Sequence, residues 1–371
     1  MSGFARFLPH IAALPATVPF VGPESLERQS GRRFIARLGA NESAFGPAPS
    51  VIEAIRAEAA CAWKYPDPEA FELREALSAH LGVPIGQITI GEGIDGILGH
   101  VVRMIVEPGT PVVTSLGAYP TFNYHVAGFG GRLVTVPYRE DREDLDGLLK
   151  AARREKAPLV YLANPDNPMG TWWPEEDILA FARALPEETM LVLDEAYGET
   201  APASALPPAD AMLSMPNVIR TRTFSKAYGL AGIRIGYAFG TTETIALFDR
   251  IRHHFGVGRL PLVAAQTALK DQAWLQWVVE RIATGRERIY ATARANNLAA
   301  LPSVTNFVAV DCGADRAFAA AVVRELGVQG VFVRMPIAPP LDRCIRVSVG
   351  LDGDLDAFAE ALPKALKAAG R

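Results

Sequence analysis

Between residues 87 and 238, short apolar runs alternate with stretches of helical periodicity, and this alternation constrains the fold more than any other feature of the chain. The runs at 87–90, 111–114, 132–136, 159–162, 190–193, 218–221 and 235–238 are rich in Val, Ile and Leu and too short for helices. Helical patterns lie among them at 97–106, 121–129 and 144–155, and two more, at 51–60 and 70–81, precede the first run. Apolar strands separated by helices predict an α/β large domain whose mostly parallel sheet is doubly covered. After residue 242 the texture changes. Helical stretches at 244–253 and 262–288 lead to strand-like runs at 307–310 and 344–349 that flank a helix at 317–326, the pattern of a smaller α+β domain. Pro9, Pro15, Pro19 and Pro23 interrupt residues 1–40, which read as an irregular arm with one extended piece at 34–38. The expected division is an arm, 1–40, joining the small domain; a large domain, 41–242; and a small domain, 243–371. A ligand would lie between the two domains, beyond the C-terminal ends of the strands.

Length and composition exclude several classes. The 371 residues suit two domains, and an apolar fraction of 49% suffices for their cores. With a net charge of −4 and no long Lys/Arg run, the chain lacks the footprint of a nucleic-acid binder. No signal peptide or membrane-spanning stretch is expected. Cys61, Cys312 and Cys344 are odd in number and far apart, so a reducing cytoplasm is expected rather than a disulfide framework. The six histidines show no i,i+4 spacing beside a carboxylate, so no metal site is expected.

Five segments carry candidate chemistry. Gly91-Glu-Gly93-Ile94-Asp95-Gly96 follows a strand and opens a helix, where free backbone N–H groups can face a phosphate. A nicotinamide site would also need an acid ending the next strand, and Thr114-Ser115-Leu116 stands there instead. A plain loop would use the same glycines. Asn164-Pro-Asp-Asn167-Pro-Met-Gly170 makes a rigid turn at a strand's end and offers the Asn167 amide to a ligand oxygen. Asp194 ends a strongly apolar strand, a costly position for a carboxylate unless it meets a cation or caps the next helix. Tyr197 follows three residues later.

In the segment Thr221-Arg-Thr223-Phe-Ser225-Lys226-Ala-Tyr-Gly229-Leu-Ala-Gly232-Ile-Arg234, hydroxyls and a guanidinium surround one lysine. Together they can form a phosphate cup, and a lysine amine that is partly neutral can condense with an aldehyde. Finally, Arg334 and Arg346 lie in apolar strand-like runs, as anion binders or as edge-strand ion pairs. Each hydrogen bond from such a guanidinium to an anion is worth on the order of 1.5–3 kcal/mol.

Taken in order, these segments resemble fold-type I pyridoxal-phosphate enzymes, the class I/II aminotransferases, and most closely their histidinol-phosphate aminotransferase branch. The resemblance runs from about residue 20 to 350 and includes Asn41-Glu42 with Phe45-Gly-Pro, and Tyr65-Pro-Asp-Pro. It implies pyridoxal 5'-phosphate as cofactor, and transamination between a small-molecule amino donor and a 2-oxo acid. By the same resemblance Lys226 forms the Schiff base and shuttles the proton, and Asp194 pairs with the pyridinium nitrogen. Asn167 and Tyr197 bond the phenolic oxygen, and Phe122 stacks on the ring. Thr223, Ser225, Arg234 and the backbone at Gly93, Ile94 and Asp95 hold the phosphate. Tyr65 reaches the phosphate of the neighbouring subunit in a homodimer. Arg346, assisted by Arg334, binds the substrate's acidic group.

Phe122 stands where a tyrosine is common, and Phe20 where many members carry a tyrosine that bonds a substrate phosphate. Aromatic amino acids are therefore an alternative to histidinol phosphate. A threonine-phosphate decarboxylase shares the cofactor motifs. A non-catalytic pyridoxal-phosphate-binding module would ordinarily carry a DNA-binding segment, which residues 1–40 do not resemble.

Overall fold

The alternation folds into three sheets. In the computed structural model, which describes residues 7–15 and 21–370, the strands are β1 (Ala36–Arg37), β2 (Ile88–Gly91), β3 (Pro111–Ser115), β4 (Arg132–Val136), β5 (Leu159–Ala163) and β6 (Met190–Asp194). They continue with β7 (Val218–Thr223), β8 (Gly236–Phe239), β9 (Ala299–Ala300), β10 (Phe307–Asp311), β11 (Val331–Phe332) and β12 (Cys344–Ser348). The central sheet has the order β2-β8-β7-β6-β5-β3-β4. Only β8 runs against its neighbours; the other pairings are parallel.

Successive residues of the central strands enter different cores. Val112, Leu159, Tyr161, Val192 and Ile219 pack on one face with the helix Gly93–Ile105, while Val113, Val160, Leu162, Leu191 and Val218 pack on the other with the helices Leu145–Glu155 and Glu175–Ala184. Burial on both faces explains why these strands read as continuous apolar runs. The helix Glu175–Ala184, which the periodicity does not single out, begins after Pro174 with three acids in its first turn, a combination that suits a helix N-terminus.

In the small domain, β9, β10 and β12 form an antiparallel sheet, and β1 of the arm pairs in parallel with β11. Ala36 and Leu38 of the arm enter the same core as Val308, Val310, Ile345 and Val347. The helix Asp352–Ala368, also outside the expected elements, closes this core with Phe358 and Leu362.

The expected boundary at 242 falls too early. The helix Thr242–Phe248 places Ile245 and Phe248 in the large-domain core with Ile97 and Leu98. The helix Arg259–Lys270 packs Ala264, Ala265 and Ala268 against Val51, Leu73 and Leu77. The crossing to the small domain comes in the helix Gln272–Ala295, whose Val278, Ile282 and Ile289 enter the small-domain core. The texture changes at 242 because the sheet is complete, not because its core is. Helical periodicity reveals that a face is buried but not which neighbour buries it. Among the described residues, no helix is long and apolar enough to cross a membrane.

Candidate active site

Parallel strands β5, β6 and β7 end side by side, which brings Ala163, Asp194 and Thr223 to one edge of the sheet. There, with the first turn of the helix Gly93–Ile105, they border a cavity of about 340 Å³ that Lys226 also lines. An outer hollow of about 360 Å³ shares Ala40, Asp95, Tyr119, Asn167 and Lys226 with it and extends to Arg334 and Arg346 of the small domain. The arrangement follows the rule that open α/β sheets bind ligands beyond the carboxyl ends of their strands.

One end of the cavity is built for an anion. Gly93 has φ +73°, and a Cβ there would lie 2.7 Å from Arg234 Nη2, so only glycine lets the helix start and the guanidinium approach so closely. Thr223 Oγ1 donates to Ser225 Oγ at 2.9 Å and accepts from the Ser225 N–H at 3.0 Å. Arg234 Nη1 reaches Ser225 Oγ at 3.5 Å, and Nη2 reaches Asp95 Oδ2 at 3.3 Å. Gly229 is required behind this cup, because a Cβ would collide with the backbone of Gly46.

Elsewhere in the cavity wall Asp194 is buried, and its oxygens accept from Tyr161 Oη at 2.7 Å and the Ala196 N–H at 3.0 Å, both neutral donors. Burial pushes its carboxyl up to about 6. A carboxylate so placed, facing a cavity, is best satisfied by a cation held in that cavity. Lys226 Nζ donates to the Asn41 carbonyl at 3.2 Å. Burial, followed by the positive charge of Arg346, lowers the Lys226 amine to about 8. A substantial neutral fraction near neutral pH is what a nucleophilic amine needs.

Between cavity and hollow the polar groups form one chain. Tyr197 Oη accepts from Asn41 Nδ2 at 3.0 Å and Asn167 Nδ2 at 3.3 Å, and burial pushes its phenol up to about 12. Asn167 Oδ1 accepts from Arg346 Nη1 at 2.6 Å, and Arg346 Nη2 donates to the Gly39 carbonyl at 3.2 Å. Nη1 and Nη2 each make one of these bonds and each carry a second N–H, so the guanidinium retains capacity for a ligand. Arg334 is joined to it through backbone hydrogen bonds at 3.3 and 2.6 Å, and its Nη2 donates to the Val21 carbonyl at 3.0 Å.

These groups suit the cofactor that the resemblance implies: an anion cup for the phosphate, an isolated carboxylate for a protonated ring nitrogen, and an amine for the aldehyde. Gly93, Ile94, Asp95, Asn167, Asp194, Tyr197, Thr223, Ser225, Lys226 and Arg234 converge on this one place. Phe122 does not. It is fully buried behind the cavity wall, stacked on Tyr161 with centroids 4.6 Å apart, and the aromatic residues that line the cavity are Tyr119, Tyr161 and Tyr197. Tyr119 precedes Pro120, the first residue of the helix Pro120–Gly128, so it stands outside the helix while Phe122 in the first turn faces the core. The Tyr-Pro pair at a helix start is the signal that could have identified it.

Tyr65 lies elsewhere, 78% exposed, with its ring 4.8 Å from Phe255. Phe20 lies outside the described residues. Sequence reasoning also gave no role to Asn41, whose left-handed backbone (φ +56°) turns its side chain to Tyr197 and its carbonyl to Lys226. Among the described residues, no cluster of His, Cys, Asp and Glu could hold a metal ion.

Comparison with known proteins gives concordant results. The family profile described as "Aminotransferase class I and II" matches residues 35–362. A histidinol-phosphate aminotransferase of Thiobacillus denitrificans is 37% identical over 364 residues, covering 97% of this chain and 94% of its own. One from Pseudomonas aeruginosa is 36% identical over 370 residues, covering 99% of each. Among solved structures, histidinol-phosphate aminotransferase from Sinorhizobium meliloti, in complex with pyridoxal-5'-phosphate, is 60% identical with a TM-score of 0.96, covering 99% of both chains.

Proposed function

The chain belongs to the class I and II aminotransferase family, and from that premise we propose that it is a pyridoxal-phosphate-dependent transaminase whose amino donor is histidinol phosphate and whose acceptor is a 2-oxo acid. The observation that carries the reading is the pair of adjoining hollows: one combines Lys226, Asp194 and an anion cup, and the other ends on Arg334 and Arg346. Histidinol phosphate carries an amine at one end and a phosphate at the other. The relatives at 37% and 60% identity support that donor.

When bound, pyridoxal phosphate supplies an aldehyde that takes up the amino group and a ring that withdraws electrons from the adjacent carbon. The protein supplies the rest. Thr223, Ser225, Arg234 and the backbone N–H groups of Ile94 and Asp95 hold the phosphate, with the helix N-terminus adding its partial positive charge. Asp194 would keep the ring nitrogen protonated, and Tyr197 and Asn167 would hydrogen-bond the phenolic oxygen. Lys226 holds the cofactor until substrate arrives. Its amine, once freed, would be the base that takes the proton from the substrate's α-carbon and carries it. Arg346, with Arg334 beside it, fixes the substrate's anionic end so that the α-carbon stays within reach of that amine.

Two subunits complete each site in this reading, with Tyr65 from one copy extending to the phosphate cup of the other. Its 78% exposure supports the assignment. The odd number and wide spacing of the three cysteines support a reducing, cytoplasmic location. A second donor class, the aromatic amino acids, is favoured by Tyr119, Tyr124 and Ile337 in the outer hollow.

A half-reaction separates the two. The loaded enzyme is mixed with one donor at a time while the absorbance of the lysine-bound cofactor is followed. Loss of the band with histidinol phosphate and little change with phenylalanine or tyrosine is the expected outcome; the reverse selects the aromatic donors. Lys226→Ala should lack both the band and turnover, and a fully active variant would refute the mechanism.

A further inference from the structure

We propose that Tyr161 is a positioning residue of this site: its phenol O–H orients the Asp194 carboxylate and holds it ionised toward the cofactor's ring nitrogen. The inference rests on the reading of Asp194 as the partner of that nitrogen and assigns a function to a side chain the reaction itself does not use.

The geometry begins in the register of two strands. β5 and β6 are parallel with Ala163 opposite Asp194 and Tyr161 opposite Val192. Tyr161 therefore sits two residues before Asp194's partner, and its long side chain spans that distance to place Oη 2.7 Å from Asp194 Oδ2. The Ala196 N–H occupies Oδ1 at 3.0 Å. Each carboxylate oxygen thus has one fixed donor, and the group cannot rotate without breaking one of them. Tyr161 is itself immobilised. Its ring is 1% exposed and lies on that of Phe122, fully buried, at 4.6 Å and 18° between planes. Phe122 thereby has a physical role behind the site: it clamps the ring that aims the carboxylate. Both Tyr161 and Asp194 line the cavity, so the arrangement exists at the position where the ring would lie.

The chemistry has one direction only. Burial and the neighbouring Asp194 carboxylate hold the Tyr161 phenol well above its ordinary range, so it can serve Asp194 only as a donor. A donor to a carboxylate favours its charged form and opposes the burial that disfavours it. Without the phenol, Asp194 would take up a proton at higher pH, and a protonated carboxyl cannot pair with a protonated ring nitrogen. Asp95, Tyr119, Glu143, Tyr197 and Lys226 are the other titratable groups bordering this pair. They are unchanged by substitution at Tyr161 and cancel when variants are compared.

Tyr161→Phe removes the O–H and keeps the ring in its stack. The experiment measures the dissociation constant of pyridoxal phosphate for cofactor-stripped protein by calorimetry between pH 6 and 8.5, in wild type, Y161F, D194A and the double variant. Y161F should bind the cofactor about tenfold more weakly at pH 7, the size expected for one hydrogen bond to a charged group. The deficit should widen toward pH 6 and shrink toward pH 8.5. In the D194A background the Tyr161 substitution should have no further effect, because the phenol acts through the carboxylate. Retained near-ultraviolet circular dichroism identifies folded variants. Should Y161F lose its fold, Phe122→Leu replaces it, loosening the clamp with the hydroxyl intact and predicting a smaller loss with the same pH trend. Equal losses in the wild-type and D194A backgrounds, a deficit independent of pH, or unchanged affinity would each overturn the role of Tyr161. If D194A itself binds the cofactor as tightly as wild type, the reading of Asp194 fails instead.

Discussion

At the scale of single residues, the site is a set of charges each held short of full satisfaction. Arg346 illustrates this: Nη1 and Nη2 spend one donor each on Asn167 and Gly39, and each keeps a second N–H for a ligand. Arg346→Ala should therefore raise KM for an anionic donor on the order of tenfold to a hundredfold, the equivalent of one strong hydrogen bond. The calorimetric affinity for pyridoxal phosphate should change far less. A loss confined to cofactor affinity would instead move Arg346 into the phosphate cup. Asp194 and Arg346 were legible in the sequence because a charge in an apolar segment is costly, Asn167 because it stands in a rigid turn at a strand's end, and Lys226 because hydroxyls and a guanidinium surround it. Phe122 and Tyr119 were not. Both are aromatics three residues apart at one helix start, and only the helix phase decides which faces the cavity and which the core.

At the scale of elements, the sheet's stability lies in strands buried on both sides. Leu162, fully buried in β5, packs among Val113, Leu148 and Leu193 on the face opposite Tyr161. Leu162→Ala should cost about 2–5 kcal/mol, read as a lower midpoint in chemical denaturation. Because the same strand ends beside Asp194, a lower cofactor affinity is expected to accompany it; a midpoint equal to wild type would mean the cavity is refilled by its neighbours. The strands of this sheet were legible because double burial writes itself as an unbroken apolar run. The helices Thr242–Phe248 and Arg259–Lys270 were legible as helices but not as parts of the large domain, since amphipathicity carries no address. The helix Asp352–Ala368 was hidden by Pro363 within it, which weakens a helical reading although the surrounding Phe358, Leu362 and Leu366 are buried.

At the scale of the whole molecule, cofactor and fold are thermodynamically linked. In the stripped protein burial holds the Asp194 carboxyl at about 6, above its ordinary value of 3.8. Its stability contribution is complete below that ordinary value and is lost as pH rises through about 6. A cation on the carboxylate removes this loss, and a cofactor bound through Lys226 likewise removes an ammonium that the interior disfavours. The rise in thermal midpoint on adding pyridoxal phosphate should thus be greater at pH 7.5 than at pH 5. Differential scanning fluorimetry would check it; a greater rise at pH 5 would contradict the linkage.

The two domains meet through this same electrostatics. Arg346 belongs to β12 of the small domain, Lys226 follows β7 of the large one, and the positive charge of the first depresses the proton affinity of the second. An anion seated on Arg346 cancels that field. Burial keeps the amine lowered throughout, and an anion docked on Arg346 would raise the proton affinity of Lys226 once the substrate has freed it. In the proposed reaction the arriving molecule would thus arm the group that deprotonates it, a cation on one domain serving as the safety catch for a base on the other.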